Sequence, residues 1–199
     1  NNIGDSGIVC DFGKEVNREI NTSVIKLFHH VKKEVFRGNL KGILNYTPSY
    51  NKLIINFDLE KINSSKIKDF LNSVDFSKLN ISQSSKTWTI PICYDFEMDL
   101  ENISKTLKIE KDKIINIHLN TDFFVYMIGF VPGQPFLGDL KENLYHDRLD
   151  TPRVKINKGS VGIVEKFCTI YTFESPGGWN IIGKTPLDLF CLLYTSPSP

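Results

Sequence analysis

From residue 17 to residue 36 the chain reads NREINTSVIKLFHHVKKEVF, with Ile20, Val24, Leu27, Phe28, Val31 and Val35 at spacings of three and four. That period puts them on one face and predicts an amphipathic helix. Gly38 supplies a stop just past it. In KLIINFD (52–58) the period drops to two, so Leu53, Ile55 and Phe57 share one side of a strand. Ile67, Phe70, Leu71 and Val74 predict a second helix over SSKIKDFLNSV (64–74). GIVCDFG (7–13) reads as an opening strand, and KGILNYTPSY (41–50) leads into the next. Strand and helix thus alternate, which predicts helices on one face of an antiparallel sheet.

NISQSSKT (80–87) is polar, serine-rich and without periodicity, and reads as a linker. It divides an α+β N-terminal domain (1–82) from a second domain (83–199). There WTIPICYD (88–95) predicts a strand. DLENISKTLKIEKDKIINIHL (99–119) predicts two short helices, one carrying Leu100, Ile103 and Leu107, the other Ile114 and His118. From residue 123 onward short β runs are cut by Gly and Pro, in FFVYMIGFVPGQPFLGDL, TPRVKI, KGSVGIV, CTIYTFESPGGW and NIIGKTPLDLF. Strands at this spacing predict a β-barrel. No internal repeat is evident.

Composition narrows the function classes. A net charge of +1, with no long block of like charge, argues against nucleic acid or an anionic membrane as the main partner. No apolar run approaches the roughly 20 residues that span a bilayer. The opening NNIGDSGIVC has neither the basic leader nor the apolar core of a signal peptide, and it begins without Met. Cys10, Cys93, Cys168 and Cys191 form no C-x-x-C pair, which reads as free thiols in a reducing cytoplasm. Adjacent His29 and His30 would point about 100° apart on a helix, so no metal site is expected.

Two sharper motifs also have plain readings. GWNIIGKT (178–185) spells the phosphate-loop pattern G-x-x-x-x-G-K-[ST]. Such a loop needs small, flexible residues curling round phosphates at a helix N-terminus. Ile181 and Ile182 resist that curl, so a strand between glycine turns is the better account. The helix pair at 99–119 resembles a helix-turn-helix, yet KDKIINIHL offers few side chains suited to base edges. Two helices covering a barrel end explain it better.

VYMIGFVPGQPFLGDL, TPRVKINKGSVGI and ESPGGWNIIGKTPLDLF closely resemble the family of the 5-oxoprolinase B subunits. The family is also known as allophanate hydrolase subunit 1 or the sporulation kinase inhibitor, and is related to part of the urea carboxylase carboxyltransferase region. GDSGIVCDFG, YTPSYNKLIINFD, WTIPICYD and IINIHL extend the resemblance over nearly the whole chain. It implies an α+β N-terminal domain followed by a cyclophilin-like β-barrel. It also implies work in a complex with a paralogous C subunit, joined by an A subunit, opening 5-oxoproline to glutamate with ATP. The lactam is a poor electrophile, and phosphorylating its oxygen creates a leaving group. The family does not insist on Lys at the position of Lys184, so the GKT spelling is incidental even if the complex uses a nucleotide.

The substrate-contact set implied is Tyr126, Gly129, Phe130, Pro132, Gly133, Ser175, Pro176, Gly177, Gly178 and Trp179. The glycines permit close backbone approach to a ligand, or serve only tight turns. Tyr126, Phe130 and Phe136 wall a pocket, or are plain core. Trp179 reads as a barrel anchor before a stacking platform. His118, Arg153 and Glu174 form the catalytic set. For each a dull reading stands beside the catalytic one. His118 is an acid, base or oxyanion donor, or a structural histidine. Arg153 grips a carboxylate or phosphate, or forms a surface salt bridge. Glu174 orients a substrate amide, or is a solvated loop carboxylate.

Three departures from the family pattern fall where a pocket would be. Gln134 stands in place of an aromatic residue and Asp139 in place of a glycine. Phe167-Cys168-Thr169 stands where a polar glutamine and a glycine are usual, and 149–154 is short. The last residues, 191–199, have no family character and imply a truncated final strand. The leading expectation is a non-autonomous B-type subunit of an ATP-dependent 5-oxoprolinase. The alternatives are an inhibitor of a sensor histidine kinase, favoured by the altered pocket residues, and a subunit of a urea or allophanate amidolyase.

Overall fold

The computed structural model describes residues 1–80, 86–96 and 98–191. The predicted linker core 81–85 and the tail from 192 lie outside them. The chain divides into two compact units, Asn1–Lys86 and Thr87–Pro199.

In the first unit, β1 (Asn2–Ile3), β2 (Gly7–Asp11), β3 (Ile43–Pro48) and β4 (Lys52–Phe57) form an antiparallel sheet in the order β1-β2-β4-β3. Helix α1 (Arg18–Phe36) starts where Asn17 Oδ1 accepts the Ile20 N–H at 2.9 Å. It ends where Gly38 takes φ +80°, a conformation open to glycine. Val24, Leu27 and Val31 of α1 meet Ile8, Leu53, Ile55 and Phe57 of the sheet in one core. Both predicted periods, of three to four and of two, are therefore the buried faces. Helix α2 (Ser64–Asn72), capped by Asn63, adds Ile67 to this core. Asn21, buried on α1, donates to Tyr50 O at 3.2 Å and ties the helix to the β3–β4 turn.

The second unit opens on 88–95, where the strand expectation fails. Its only ladder contact among the described residues is a single bridge, with Cys93 and Lys184 exchanging backbone bonds at 2.8 Å. Pro91 lacks the N–H a longer ladder would need, and Trp88 lies exposed. Helices α3 (Leu100–Leu107) and α4 (Lys111–Leu119) follow. The strands are β5 (Phe124–Ile128), β6 (Pro135–Gly138), β7 (Arg153–Ile156), β8 (Ser160–Val164), β9 (Phe167–Ile170), β10 (Ser175–Gly177) and β11 (Asn180–Lys184).

Five of these form an antiparallel sheet ordered β11-β8-β9-β6-β5, while β10 and β7 form a separate two-stranded ribbon. The expected barrel does not close among the described residues. Pro176 leaves β10 with no central N–H, so it pairs on one side only, with β7. At the far edge β5 leaves Val125 and Ile128 exposed. The helix pair covers the five-stranded sheet. Leu100, Ile103 and Ile114 pack with Val161, Ile163, Cys168, Ile170 and Ile182. GWNIIGKT contains β11, whose ladder with β8 uses its backbone groups. That is the strand its β-branched residues predicted. No helix among the described residues is long and apolar enough to cross a membrane.

Ile103 is fully buried, whereas Phe36 at the end of α1 is almost fully exposed. Ile103→Ala is expected to lower the unfolding free energy by about 2–5 kcal/mol, and Phe36→Ala by less than about 0.5 kcal/mol, read from urea denaturation.

Candidate functional site

Two Gly–Pro turns carry most of the residues singled out above. The first joins β5 to β6. Gly129 N–H donates to Gln134 O at 3.0 Å and Gln134 N–H to Val131 O at 3.2 Å, closing the loop on itself. Gly133 sits at φ +73°, and any Cβ there would collide with the Phe190 ring. Phe130 also takes φ +73°, which a side chain resists, and leaves 68% of its surface in solvent. An exposed aromatic ring on a strained backbone is typical of ligand clamps rather than of core.

The second turn is the segment leading through β10 to β11. It reaches the first at two points. Thr172 Oγ1 donates to Pro132 O at 2.7 Å, and the rings of Phe136 and Trp179 meet edge-on with centroids 5.7 Å apart. The approach that Gly177 and Gly178 allow is filled by the protein itself. The Tyr171 hydroxyl lies against Gly177, and the Arg148 side chain against Gly178. Leu149 N–H donates to Gly178 O at 2.9 Å. Burial pushes the Tyr171 hydroxyl up to about 12, against the pull of Arg148 and Arg153, so it remains a protonated phenol.

Four buried side-chain atoms of this unit have no hydrogen-bond partner among the described residues: Gln134 Oε1 and Ser175 Oγ in the turns, Asn180 Oδ1 at the start of β11, and His146 Nε2. Gln134 is 2% exposed and Ser175 8%. An unpaired buried polar atom costs about 1–3 kcal/mol, so each is a place where a ligand would be rewarded. Pro176, beside Ser175, is exposed.

Tyr126 is buried and donates to Asp139 Oδ1 at 2.9 Å. Asp139 has φ +68°, a backbone that suits the glycine of the family pattern and that Asp tolerates better than most residues. The departure thus keeps the turn and adds a clasp on Tyr126. In β9, Thr169 Oγ1 donates to Pro135 O at 2.7 Å and fastens the first turn to the sheet.

The three residues of the catalytic set are held by other partners. His118 is buried at the end of α4, with Tyr94 Oη 2.7 Å from Nδ1 and Cys168 Sγ 3.5 Å from Nε2. Burial lowers its pKa from 6.5 to about 4, raises that of Cys168 to about 12 and raises that of Tyr94. All three are neutral near pH 7. Tyr94 then donates to Nδ1, and the proton on Nε2 faces the thiol. Arg153 on β7 grips Asp99 with both guanidinium nitrogens, at 2.9 and 2.5 Å. Asp99, 5% exposed, also accepts the Ile181 N–H at 2.6 Å. Glu174 pairs with Lys155 at 2.6 Å on the surface. The β7–β10 ribbon brings Arg153, Glu174, Ser175 and Gly177 together, since Gly177 lies opposite Arg153 and Ser175 opposite Ile156. His118 lies instead against β9.

Asp99 and Tyr94 are the partners that sequence reading missed, whereas Gln134 is placed at the pocket by its departure from the family pattern. Asp99 stands 54 residues from Arg153, a separation at which opposite charges give no pairing signal. Among the described residues no group of three or more His, Cys, Asp or Glu side chains is placed to hold a metal ion. A hollow of about 280 Å³ in this unit is lined by Leu107, Tyr145, His146, Asp147 and Glu165.

The whole chain, residues 1–199, matches the family model for the carboxyltransferase domain, subdomains C and D. It is 32% identical over 201 residues to the 5-oxoprolinase B subunit of Bacillus subtilis, covering 94% of this chain and 82% of that protein. With the B subunit from Haemophilus influenzae it is 45% identical over 103 residues, or 51% of this chain and 48% of that one. The crystal structure of TTHA0988 superposes with a TM-score of 0.79 at 25% identity, over 92% of this chain and 35% of that one. Fold and sequence thus define a carboxyltransferase-type domain. The chain belongs to the carboxyltransferase-domain family, in the branch that holds the 5-oxoprolinase B subunits.

Asp99 is the buried half of its ion pair, while 26% of the Arg153 side chain is in solvent. Asp99→Ala is expected to destabilise the protein by about 1–3 kcal/mol in urea denaturation, through loss of the charge-assisted bonds. The His118 prediction concerns pH. Above pH 6.5 folded and unfolded imidazoles are both neutral, and no stability is at stake. As pH falls through 6.5 the unfolded state takes up a proton that the folded state resists until about pH 4. Stability drains over that window by about 3 kcal/mol in total. Unfolding free energies across it are expected to show this loss in the parent and one proton less of slope in His118→Gln.

Proposed function

We propose that this chain is the non-autonomous B-type subunit of an ATP-dependent 5-oxoprolinase, converting 5-oxo-L-proline to L-glutamate together with A-type and C-type subunits. The observation that carries the reading is the kinship to 5-oxoprolinase B subunits over nearly the full chain. The geometry supports it with two turns that meet at Thr172–Pro132 and present two buried, unpaired atoms.

A cyclic amide has one N–H to donate, one carbonyl oxygen to accept and, in 5-oxoproline, a carboxylate. Gln134 Oε1 is an acceptor for the lactam N–H, and the Ser175 hydroxyl a donor to an oxygen of the ring or carboxylate. Phe130 offers an exposed ring face to the apolar methylenes. His118, Arg153 and Tyr126 act as supports behind these contacts, each held by its own partner. ATP supplies the chemistry that the chain lacks: transfer of its γ-phosphoryl to the lactam oxygen makes that oxygen a leaving group. Water would then add at that carbon, and the ring C–N bond would break as its nitrogen takes a proton. A second water would release phosphate from the acyl phosphate that remains, giving glutamate. Asn180, Ile181, Gly183 and Lys184 pair with β8, so the 178–185 stretch lacks the free run of N–H groups that a phosphate loop presents.

Mixing the protein with its cognate A-type and C-type subunits is expected to release glutamate from 5-oxoproline only when ATP is present. Glutamate no higher than in a mixture of those two without this chain would overturn the reading. Gln134→Met is expected to raise KM by about tenfold or more through loss of the acceptor. Stability is expected to hold or rise by up to about 1 kcal/mol, because an unpaired buried amide is removed.

A further inference from the structure

Unit 1 carries a basic groove that the proposed reaction does not use. It is a hollow of about 640 Å³ between α1 and the segment after α2, lined by Lys26, His30, Lys33, Ser73, Asp75 and Lys78. That volume is in the range of about 300–1,000 Å³ usual for small-molecule sites. We propose that this groove binds the oligophosphate chain of a small anionic ligand.

The charge count is the first support. Lys26, Lys33 and Lys78 line the groove against a single carboxylate, Asp75, whose pairing with Lys78 leaves a surplus of two positive charges. Asp75 takes Lys78 at 3.1 Å, the Ser77 N–H at 3.0 Å and the Ser77 hydroxyl at 2.6 Å. Glu34, beside Lys33, is tied to Arg37 at 3.0 Å and Asn39 at 2.6 Å. Lys26 and Lys33 have no carboxylate partner among the described residues.

Spacing is the second. Lys26 and Lys33 are seven residues apart on α1, about 10 Å along the axis and on one face. A single small monoanion cannot neutralise both at short range, whereas a chain of phosphates can. The C-terminal end of α2 also faces the groove and would repel an anion. Its carbonyls are covered, since Ser73 N–H bonds Asp69 O and Phe70 O, and Val74 N–H bonds Leu71 O. His30 lines the wall in a fixed place, stacked on Phe70 with centroids 5.4 Å apart.

The proposal uses residues of unit 1 alone and stands or falls apart from the reading of unit 2. ATP, which that reaction would consume, is one anion of this class. The test is calorimetric titration of the full chain with tripolyphosphate at about 50 mM salt, repeated with ATP and with adenosine. Saturable binding of tripolyphosphate is expected, with adenosine inert. Lys26→Gln/Lys33→Gln is expected to weaken it by about tenfold or more, and Lys32→Gln, exposed on α1 off the groove, by less than about twofold. ATP binding as tightly as tripolyphosphate assigns affinity to the phosphates, and tighter binding adds the nucleoside. Equal losses in both variants, or no saturable binding below about 5 mM, would overturn it. Binding that survives while reconstituted activity fails would sink the 5-oxoprolinase reading and leave this one intact.

Discussion

The buried carboxylate of Asp99 is the point on which the second unit depends. It stands at the start of α3, takes both arms of Arg153 from the ribbon, and accepts the Ile181 N–H from the edge of the five-stranded sheet. Three separate pieces of secondary structure therefore converge on one anion. A carboxylate almost without solvent is tolerable only when it is paired and hydrogen-bonded, and these three donors meet that demand. The ribbon cannot drift from the sheet without exposing an uncompensated charge on one side or the other. The open arrangement of strands holds together without the ladder closure of a barrel.

The other buried polar groups repeat the logic on a smaller scale. Tyr94, His118 and Cys168 form a neutral chain beneath the sheet, and Tyr126 with Asp139 clasps the first Gly–Pro turn. Thr172 and Thr169 spend their hydroxyls on the carbonyls of Pro132 and Pro135, the residues whose own nitrogens cannot donate. Against this background Gln134 Oε1 and Ser175 Oγ are conspicuous. His146 Nε2 and Asn180 Oδ1 are unpaired in this unit as well, so it is the position of Gln134 and Ser175 in the two turns, and not the lack of a partner alone, that sets them apart.

Periodicity made the first unit legible. α1 and β4 each bury one continuous face, so the spacing of their apolar residues is their structure. The Gly and Pro blocks of the second unit gave the turns, and Ile181 and Ile182 gave β11 despite its phosphate-loop spelling. Ladder connectivity was out of reach. Whether β10 joins the sheet or forms a ribbon with β7 turns on one missing N–H at Pro176, which no apolar pattern reports. The catalytic roles of His118 and Arg153 were read from what imidazole and guanidinium can do. What they do here depends on Tyr94, Cys168 and Asp99, which lie 24, 50 and 54 residues from them along the chain. The value of an ionisable residue is set by its neighbours, and those neighbours are distant in sequence.

Net charge conceals its own distribution in the same way. A balance of +1 argues against a polyanionic partner when charges are spread evenly. In this chain many acids are drawn into pairs with nearby lysines, and Glu101 alone is shared by Lys105 and Lys111. Lys26 and Lys33 belong to the lysines without a carboxylate partner among the described residues, and these two share one face of α1 and one groove. The field a ligand meets is set by this local surplus, because charges beyond about 8–10 Å are largely screened at physiological salt. A nearly neutral protein can therefore present a basic groove, and its sequence total does not reveal it.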